Sequence, residues 1–538
     1  MVKKTLTLIF ALIAAIAGCL LLCVSMQQGA GVGGDAVIYI TSARNLLAGK
    51  GLGLINPAGE FRLIPYFPPF YSLLLAVPGL LGLPSEEIPQ AAMIMNVILF
   101  GGLIFMLAYW TGKAGDAPAA GLAVGLLTAG SPILIPAYSW AMSEPLANFL
   151  GFLGLILFEK YIDRKQKKYL IFSAVSIGFS ILTRYSSVAF LITVAVLLLG
   201  LRNASWKEKL KNFFSFGITG SFPTICWLVI DYLQTKTISS RTVLGKEQIP
   251  ALLDSFFKQM KFVFMQWLFP ESFIHKYLKR PNLQNFVFGF IFFIVLFCLI
   301  FSIFRARKRK FYSERYLNRM MAVLGLFFIV FCVVIMIVSI RTYPPITIGS
   351  RMFLPAYIAF VWIIAILFGQ ILISEDSDNL LKTLFFILIF SYAVFGDLRG
   401  IRIARQNRID GLGYNSQAWK NSETVDFIKN NVAENQTIVT NEETALLFLT
   451  QRVTWPMHEV YVTQPDQDFY AYDQGNVPET DYGRKAFQEG KAILVVFDSF
   501  EDQMGGIYGD QTTERIDALF KNLDLLYDCD DGKVFSKK

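Results

Sequence analysis

Two carboxylates sit where a strongly apolar chain tolerates charge least. Asp35 follows two glycines in Gly33-Gly34-Asp35-Ala36-Val37-Ile38-Tyr39, just past a first apolar stretch. Glu144, in Ser143-Glu144-Pro145, stands at the end of another. A carboxylate at such a place can accept a proton from a hydroxyl nucleophile, and an ionisable group at a membrane edge is a functional hypothesis by default. Each has a plainer reading. Asp35 after glycine can cap the helix that follows it, and Glu144 before Pro145 can face a helix dipole from the first turn. Four arginines at stretch ends, Arg184, Arg241, Arg341 and Arg351, complete the set. The guanidinium fork suits phosphate, while simple snorkelling to lipid head groups explains such residues equally well. Arg351 opens an apolar stretch beside Gly349 and is the strongest of the four.

These residues need elements to hold them, and composition says which kind. Of the 538 residues, 54% are hydrophobic and only 17% charged, against about 25% charged in a soluble domain. That excludes an ordinary soluble enzyme and a disordered chain. Two histidines argue against a multi-histidine metal site. A span needs roughly 20 apolar residues. Stretches at 5–26, 88–111, 119–137, 142–161, 169–184, 186–201, 212–233, 285–304, 320–340, 353–373 and 383–398 predict about eleven transmembrane helices.

The net charge of +8 divides unevenly. Residues 1–399 carry 35 Lys and Arg against 18 Asp and Glu, a balance of +17, and residues 400–538 carry 14 against 23, a balance of −9. Basic clusters at Lys3–Lys4, Lys160–Lys168, Arg202–Lys211 and Arg305–Arg319 fall on one side of the eleven-span arrangement, which the positive-inside rule makes cytoplasmic. The loops 27–87 and 234–284, and everything after about residue 400, are then extracytoplasmic. Nucleic-acid binding is not expected. Ile16-Ala17-Gly18-Cys19 resembles a lipoprotein cleavage box, yet Leu20, Leu21, Leu22 and Val24 prolong the apolar run, so an uncleaved first helix is expected. Cys529 is alone in the tail, so no disulfide framework is expected there.

The predicted organisation is a membrane domain over 1–399 and an extracytoplasmic α/β domain over 400–538. In the tail, helices are predicted near 416–431, 442–450, 481–489 and 512–523, strands over Thr437–Thr440, Ala492–Phe497 and Lys533–Phe535, and a loop over Pro465–Glu479. The loop 234–284 interleaves His275, Lys276 and other cations with Phe262, Phe264, Trp267 and Phe273, the pattern of a helix lying in the membrane interface.

In order along the chain, these pieces resemble the GT-C integral-membrane glycosyltransferases. Within that family they are similar to the bacterial branch of protein O-mannosyltransferases, the aminoarabinose transferase that modifies lipid A, and the Rgt-type lipopolysaccharide transferases. The resemblance rests on Asp35 with Tyr39, Ala43, Gly49 and Gly51, and on Pro65-Tyr66-Phe67-Pro68-Pro69-Phe70-Tyr71. Ser143-Glu144-Pro145, Leu182-Thr183-Arg184-Tyr185 and Ser350-Arg351-Met352-Phe353-Leu354-Pro355 complete it. One departure matters: protein mannosyltransferases carry paired acids at the first loop, and here Asp35 is single.

The resemblance implies an inverting transfer of a sugar from a polyprenyl-phosphate donor to an acceptor hydroxyl on a lipid, polysaccharide or protein, at the exterior face of the cell membrane. It implies Asp35 as base, with Glu144 orienting the acceptor or assisting. Arg351, with Arg184 and Arg241, would take the donor phosphate, and Tyr39, Tyr66, His275 and Lys276 would contact substrate. No cofactor or essential metal is implied. A transporter or flippase of lipid-linked sugars and a non-catalytic membrane scaffold are the alternatives.

Overall fold

The computed structural model describes residues 2–64, 67–114, 116–201, 204–236, 242–243, 249–278, 280–305, 312–343, 348–373, 378–457, 471–474 and 481–538. Tyr66 and Arg241, both predicted to contact substrate, lie outside the described residues, as does most of the predicted loop Pro465–Glu479. The chain forms two compact units. One comprises 1–27, 65–81 and 89–408; the other comprises 28–64, 82–88 and 409–538.

The first unit is helical. Its helices are α1 (Val2–Ser25), α3 (Phe70–Leu80), α4 (Ile88–Ala114), α5 (Pro118–Ala129), α6 (Leu134–Tyr138), α7 (Glu144–Arg164), α8 (Lys167–Thr183) and α9 (Val188–Leu199). They continue with α10 (Trp206–Thr235), α11 (Ile249–Leu268), α12 (Glu271–Tyr277), α13 (Pro281–Arg305), α14 (Tyr312–Arg341), α15 (Leu354–Ile373) and α16 (Asn379–Asp410). A short antiparallel pairing joins β3 (Thr242–Val243) to β4 (Thr342–Tyr343).

Among the described residues, eight helices are long and apolar enough to cross a membrane: α1, α4, α7, α10, α13, α14, α15 and α16. The other three predicted spans form shorter helices. Stretch 119–137 is divided by Gly130-Ser131-Pro132 into α5 and α6. Stretches 169–184 and 186–201 become α8 and α9, separated where Arg184 turns extended at φ −156°. Helix contacts rely on small residues, as expected where lipid is as apolar as leucine. A Cβ on Gly178 of α8 would lie 2.6 Å from the Gly220 carbonyl of α10, so the two backbones touch there.

The second unit joins α2 (Gly34–Leu47) and the hairpin β1 (Gly53–Ile55)–β2 (Phe61–Leu63) to the tail. The segment before α2 is pinned by Tyr414 N–H to Val32 O (2.8 Å) and Asn415 Nδ2 to Ala30 O (2.7 Å). The tail itself contains helices α17 (Gln417–Lys420), α18 (Glu423–Asn431), α19 (Glu443–Thr450), α20 (Tyr482–Gln488), α21 (Ser499–Tyr508) and α22 (Thr512–Phe520). Its strands are β5 (Thr437–Thr440), β6 (Trp455–Pro456), β7 (Ala492–Phe497), β8 (Leu523–Cys529) and β9 (Gly532–Lys537).

The tail sheet runs β6-β5-β7-β9-β8 and is mixed. β5 is parallel to β6 and β7, and β9 is antiparallel to β7 and β8. β7 is buried along its length, with Leu494 and Val496 in one core and Ile493, Val495 and Phe497 in the other. The predicted helix over 416–431 is two helices: the first closes at Asn421, and Ser422 caps the second by accepting Val425 N–H at 3.1 Å. α21 and β8 were not expected from the sequence; β8 carries Asp524 and Asp528 among its apolar residues, on a largely exposed edge strand.

Candidate active site

A ladder of serines sets the geometry of the site. α7 and α8 form an antiparallel hairpin through Lys165, whose φ of +58° turns the chain sharply. Along that hairpin Ser173, Ser176 and Ser180 of α8 donate from Oγ to the carbonyls of Gly154, Leu150 and Ala147 of α7, each at 2.7 Å. Interhelical bonds of this kind contribute about 0.6 kcal/mol each. They fix the register so that Arg184, closing α8, arrives beside Glu144, opening α7.

Arg351 reaches the same carboxylate from a different direction. It lies in the turn before α15, and two glutamines of α11, seven residues apart on one helix face, hold that turn. Gln259 Oε1 accepts Ile348 N–H at 2.9 Å, and Gln266 Oε1 accepts the Ser350 hydroxyl. Arg351 Nε then stands 2.9 Å from Glu144 Oε1, and Arg184 Nη1 stands 3.0 Å from the same oxygen. Arg184 also donates to Ser143 Oγ at 3.4 Å. Asn96 of α4 steadies the approach to Glu144 by donating to the carbonyls of Tyr138 (3.0 Å) and Trp140 (2.6 Å).

Glu144 is 2% exposed. The two guanidinium contacts are close ion pairs without hydrogen-bond alignment at Oε1, and Oε2 has no hydrogen-bond partner among the described residues. A buried carboxylate survives only when paired, and here the pairing cations are a quarter to two-fifths exposed. The cluster is therefore a charged hub that is buried on the acid side and open on the base side.

It opens onto a cavity. About 680 Å³ of space, half open to the surroundings, lies between the α5–α6 connection, the end of α11, the start of α12, the Ser350–Arg351 turn and α16. Pro132, Pro136, Trp140 and Phe269 give apolar wall, and Arg351, Arg399 and Arg402 supply three cations. Arg399 donates to the Phe269 carbonyl at 3.4 Å and lies over the Phe395 ring. An apolar chamber with convergent cations suits an amphiphile with an anionic head. Arg399 and Arg402 were not singled out in the sequence. Their i, i+3 spacing directly beyond the apolar stretch 383–398 was the available signal.

The remaining described residues given a role by the resemblance lie on α2 and α12. Asp35 occupies the first turn of α2 behind Gly33, which takes the N-cap position without a side-chain bond, so Asp35 is not the cap of its helix. It is half-buried, and Tyr39, one turn later on the same face, is buried. His275 and Lys276 are exposed on α12. His275 Nε2 contacts Glu271 Oε1 at 3.4 Å, and Lys276 lies over the Tyr277 ring. From α12 it is Glu271 and Ser272 that line the cavity.

No protein-family model matches the chain, and no curated protein matches it in sequence. Solved structures do resemble it. Over 97% of this chain and 97% of the other, it is similar to ArnT from Cupriavidus metallidurans bound to undecaprenyl phosphate, at 14% identity and a TM-score of 0.53. Over all of this chain and 74% of the other, it is similar to the archaeal oligosaccharyltransferase AglB from Archaeoglobus fulgidus, solved with an inhibitory peptide and a dolichol-phosphate, at 12% identity and a TM-score of 0.54. A structure of the mycobacterial arabinofuranosyltransferase AftD matches over 98% of this chain and 41% of the other, at 10% identity and a TM-score of 0.51. The fold of this chain is thus similar to that of these glycosyltransferases, long apolar helices with a C-terminal α/β region.

Proposed function

We propose that this chain is an inverting glycosyltransferase that moves a sugar from a polyprenyl-phosphate carrier to an acceptor hydroxyl at the extracytoplasmic face of the cell membrane. The observation that carries the proposal is the position of Arg351, which pairs with buried Glu144 and also lines the cavity with Arg399 and Arg402. The GT-C fold, shared with structures that hold undecaprenyl phosphate and dolichol-phosphate, supports the same reading.

In the proposed reaction the acceptor oxygen forms a bond to the anomeric carbon while the bond from that carbon to the phosphate oxygen breaks. The electron pair leaves on the phosphate. Its growing charge is met by Arg351, Arg399 and Arg402, fixed cations in a chamber with apolar walls where electrostatics are strong. Glu144 holds Arg351 and Arg184 in place. Asp35 accepts the proton of the attacking hydroxyl. Tyr39 and Tyr66 are assigned to substrate, and Arg241 to phosphate, on the sequence resemblance. The basic clusters support a cytoplasmic N-terminus and an extracytoplasmic tail.

The test is transfer by the purified chain in liposomes supplied with polyprenyl-phosphate-linked sugars. Formation of a glycosylated acceptor with release of polyprenyl phosphate supports the proposal. Movement of the intact lipid-linked sugar between leaflets without transfer replaces it with transport.

A further inference from the structure

Asp35 is reached through a loose piece of chain. Between Gln28 and Asp35 run Gly29-Ala30-Gly31-Val32-Gly33-Gly34, four glycines in six residues, and glycine loses more backbone freedom on ordering than any other residue. Gly33 takes the N-cap position of α2 without a side-chain bond. A general base has to be held to within about 0.5 Å of its productive position, and a displacement of about 1 Å can cost about 100-fold in rate. Order of that kind has to come from outside the segment.

The tail supplies it. Alternate carbonyls of the segment each accept from a donor in residues 414–420. Lys420 Nζ donates to Gln28 O at 2.9 Å, Asn415 Nδ2 to Ala30 O at 2.7 Å and the Tyr414 N–H to Val32 O at 2.8 Å. Val32 also forms a parallel bridge with Gly413. Ala30 and Val32 are buried, where a carbonyl left without a donor is costly, so these bonds decide the path of the chain. The turn that offers the donors depends on Gly411 and Gly413, at φ +74° and +55°. A Cβ on Gly411 would meet the Asn415 carbonyl at 2.6 Å.

Tyr414 serves both flanks of Asp35. Its N–H holds Val32, and its hydroxyl lies 2.7 Å from Thr444 Oγ1 of α19, the helix that packs on α2. α2 is held further by Asn45 Nδ2 donating to the Gly53 carbonyl at 2.8 Å and Arg44 Nε to the Ser85 carbonyl at 3.1 Å. All these partners belong to the second unit, whereas Arg351, Arg399 and Arg402 belong to the first.

We propose that Tyr414 and Asn415 are positioning residues for Asp35, which makes the tail a working part of the transfer reaction. The inference rests on Asp35 being the base of the transferase proposed above. Loosening the segment impairs removal of the acceptor proton and leaves binding of the donor at the three arginines as it was.

The test compares full-length variants in liposomes carrying a titrated lipid extract of the source membranes, and follows polyprenyl phosphate release. Asn415→Ala removes the bond to Ala30. It is expected to lower turnover at saturating extract about tenfold while the half-saturating amount stays within twofold. Gly29→Ala disturbs the same contact from the other side, because φ is +111° there and its Cβ would stand 3.0 Å from Asn415 Nδ2. It is expected to give the same split. In the Asp35→Asn background, Asn415→Ala is expected to change the residual turnover less than twofold, since a residue that acts through the base has nothing left to position. Hydrogen exchange in Asn415→Ala is expected to quicken over residues 29–40 and to stay unchanged over β5 and β7.

With wild type active and Asp35→Asn impaired, turnover by Asn415→Ala within twofold of wild type overturns the positioning role alone. So does a loss that recurs undiminished in the Asp35→Asn background, or faster exchange over β5 and β7, either of which marks Asn415 as an anchor of the fold. Full turnover by Asp35→Asn, or no release by wild type, overturns the reading of the base itself, and the positioning role with it.

Discussion

Arg351 Nε lies 2.9 Å from Glu144 Oε1, so the turn that opens α15 and the first residue of α7 share one charge contact. Arg184 meets the same oxygen at 3.0 Å. One acid thereby sets two cations, and the account assigns it a positioning role. Glu144→Gln keeps the shape and removes the charge. Sugar transfer is expected to fall about 100-fold, a barrier change of about 2.7 kcal/mol. In a double-mutant cycle Glu144→Gln and Arg351→Ala should be far from additive, because either change breaks the same unit. Steady-state kinetics on the four proteins measures this, and additive losses would separate the two residues.

Arg399 and Arg402 line the cavity without touching Glu144. Alanine at either position is expected to raise the KM for the lipid donor about tenfold, about 1.4 kcal/mol of lost binding, and to leave the acceptor KM unchanged. A donor KM that stays put removes these arginines from the phosphate site.

These three arginines also show what the sequence could and could not yield. Arg351 was legible because a cation opening an apolar stretch on the cation-poor side contradicts the usual charge bias. Arg399 and Arg402 follow a stretch whose apolar run ends at 398, and they merged into the arginines around them. The structure continues α16 to Asp410 and turns both toward the cavity. The break after α5 was readable in Gly130-Ser131-Pro132. What no local pattern reveals is the pairing of Glu144 with Arg184, which depends on the register of the α7–α8 serine ladder.

That ladder is itself testable. Ser173→Ala, Ser176→Ala and Ser180→Ala each delete one hydroxyl bond to an α7 carbonyl. Each is expected to cost about 0.6 kcal/mol in thermal unfolding. Ser180→Ala, one turn before Arg184, should also reduce activity, and Ser173→Ala should not. Equal activity losses for the two would mean that register does not matter locally.

In the tail, Asp531 Oδ1 accepts Thr424 N–H at 3.1 Å and the Thr424 hydroxyl at 2.7 Å, tying the β8–β9 turn to the start of α18. Burial opposes the charge of Asp531, but these bonds and one from Ser422 outweigh it and hold the carboxyl below its usual value. A depressed folded pKa gives stability that is present above the unfolded value near 3.8 and is lost as pH falls through the lower folded value. Protection against hydrogen exchange over residues 423–431 of the full chain, taken relative to the intrinsic exchange rate at each pH, should be lower at pH 3 than at pH 6. Asp531→Ala should show the lowered protection already at pH 6, a loss of about 1–3 kcal/mol. Unchanged protection in that variant would remove Asp531 as the anchor.

The central claim is that a carboxylate-assisted transfer from a polyprenyl-phosphate donor takes place on this fold, with Asp35 as the base. The most direct measurement follows polyprenyl phosphate release and acceptor glycosylation together, in liposomes containing either the wild-type chain or Asp35→Asn with the lipid extract of the source membranes. The account predicts that wild-type protein releases carrier lipid mole for mole with glycosylated acceptor, and that Asp35→Asn, folded and still binding the donor, releases at least 1,000-fold less, about 4 kcal/mol. Equal turnover by Asp35→Asn, or carrier release with no acceptor gaining a sugar, would contradict it.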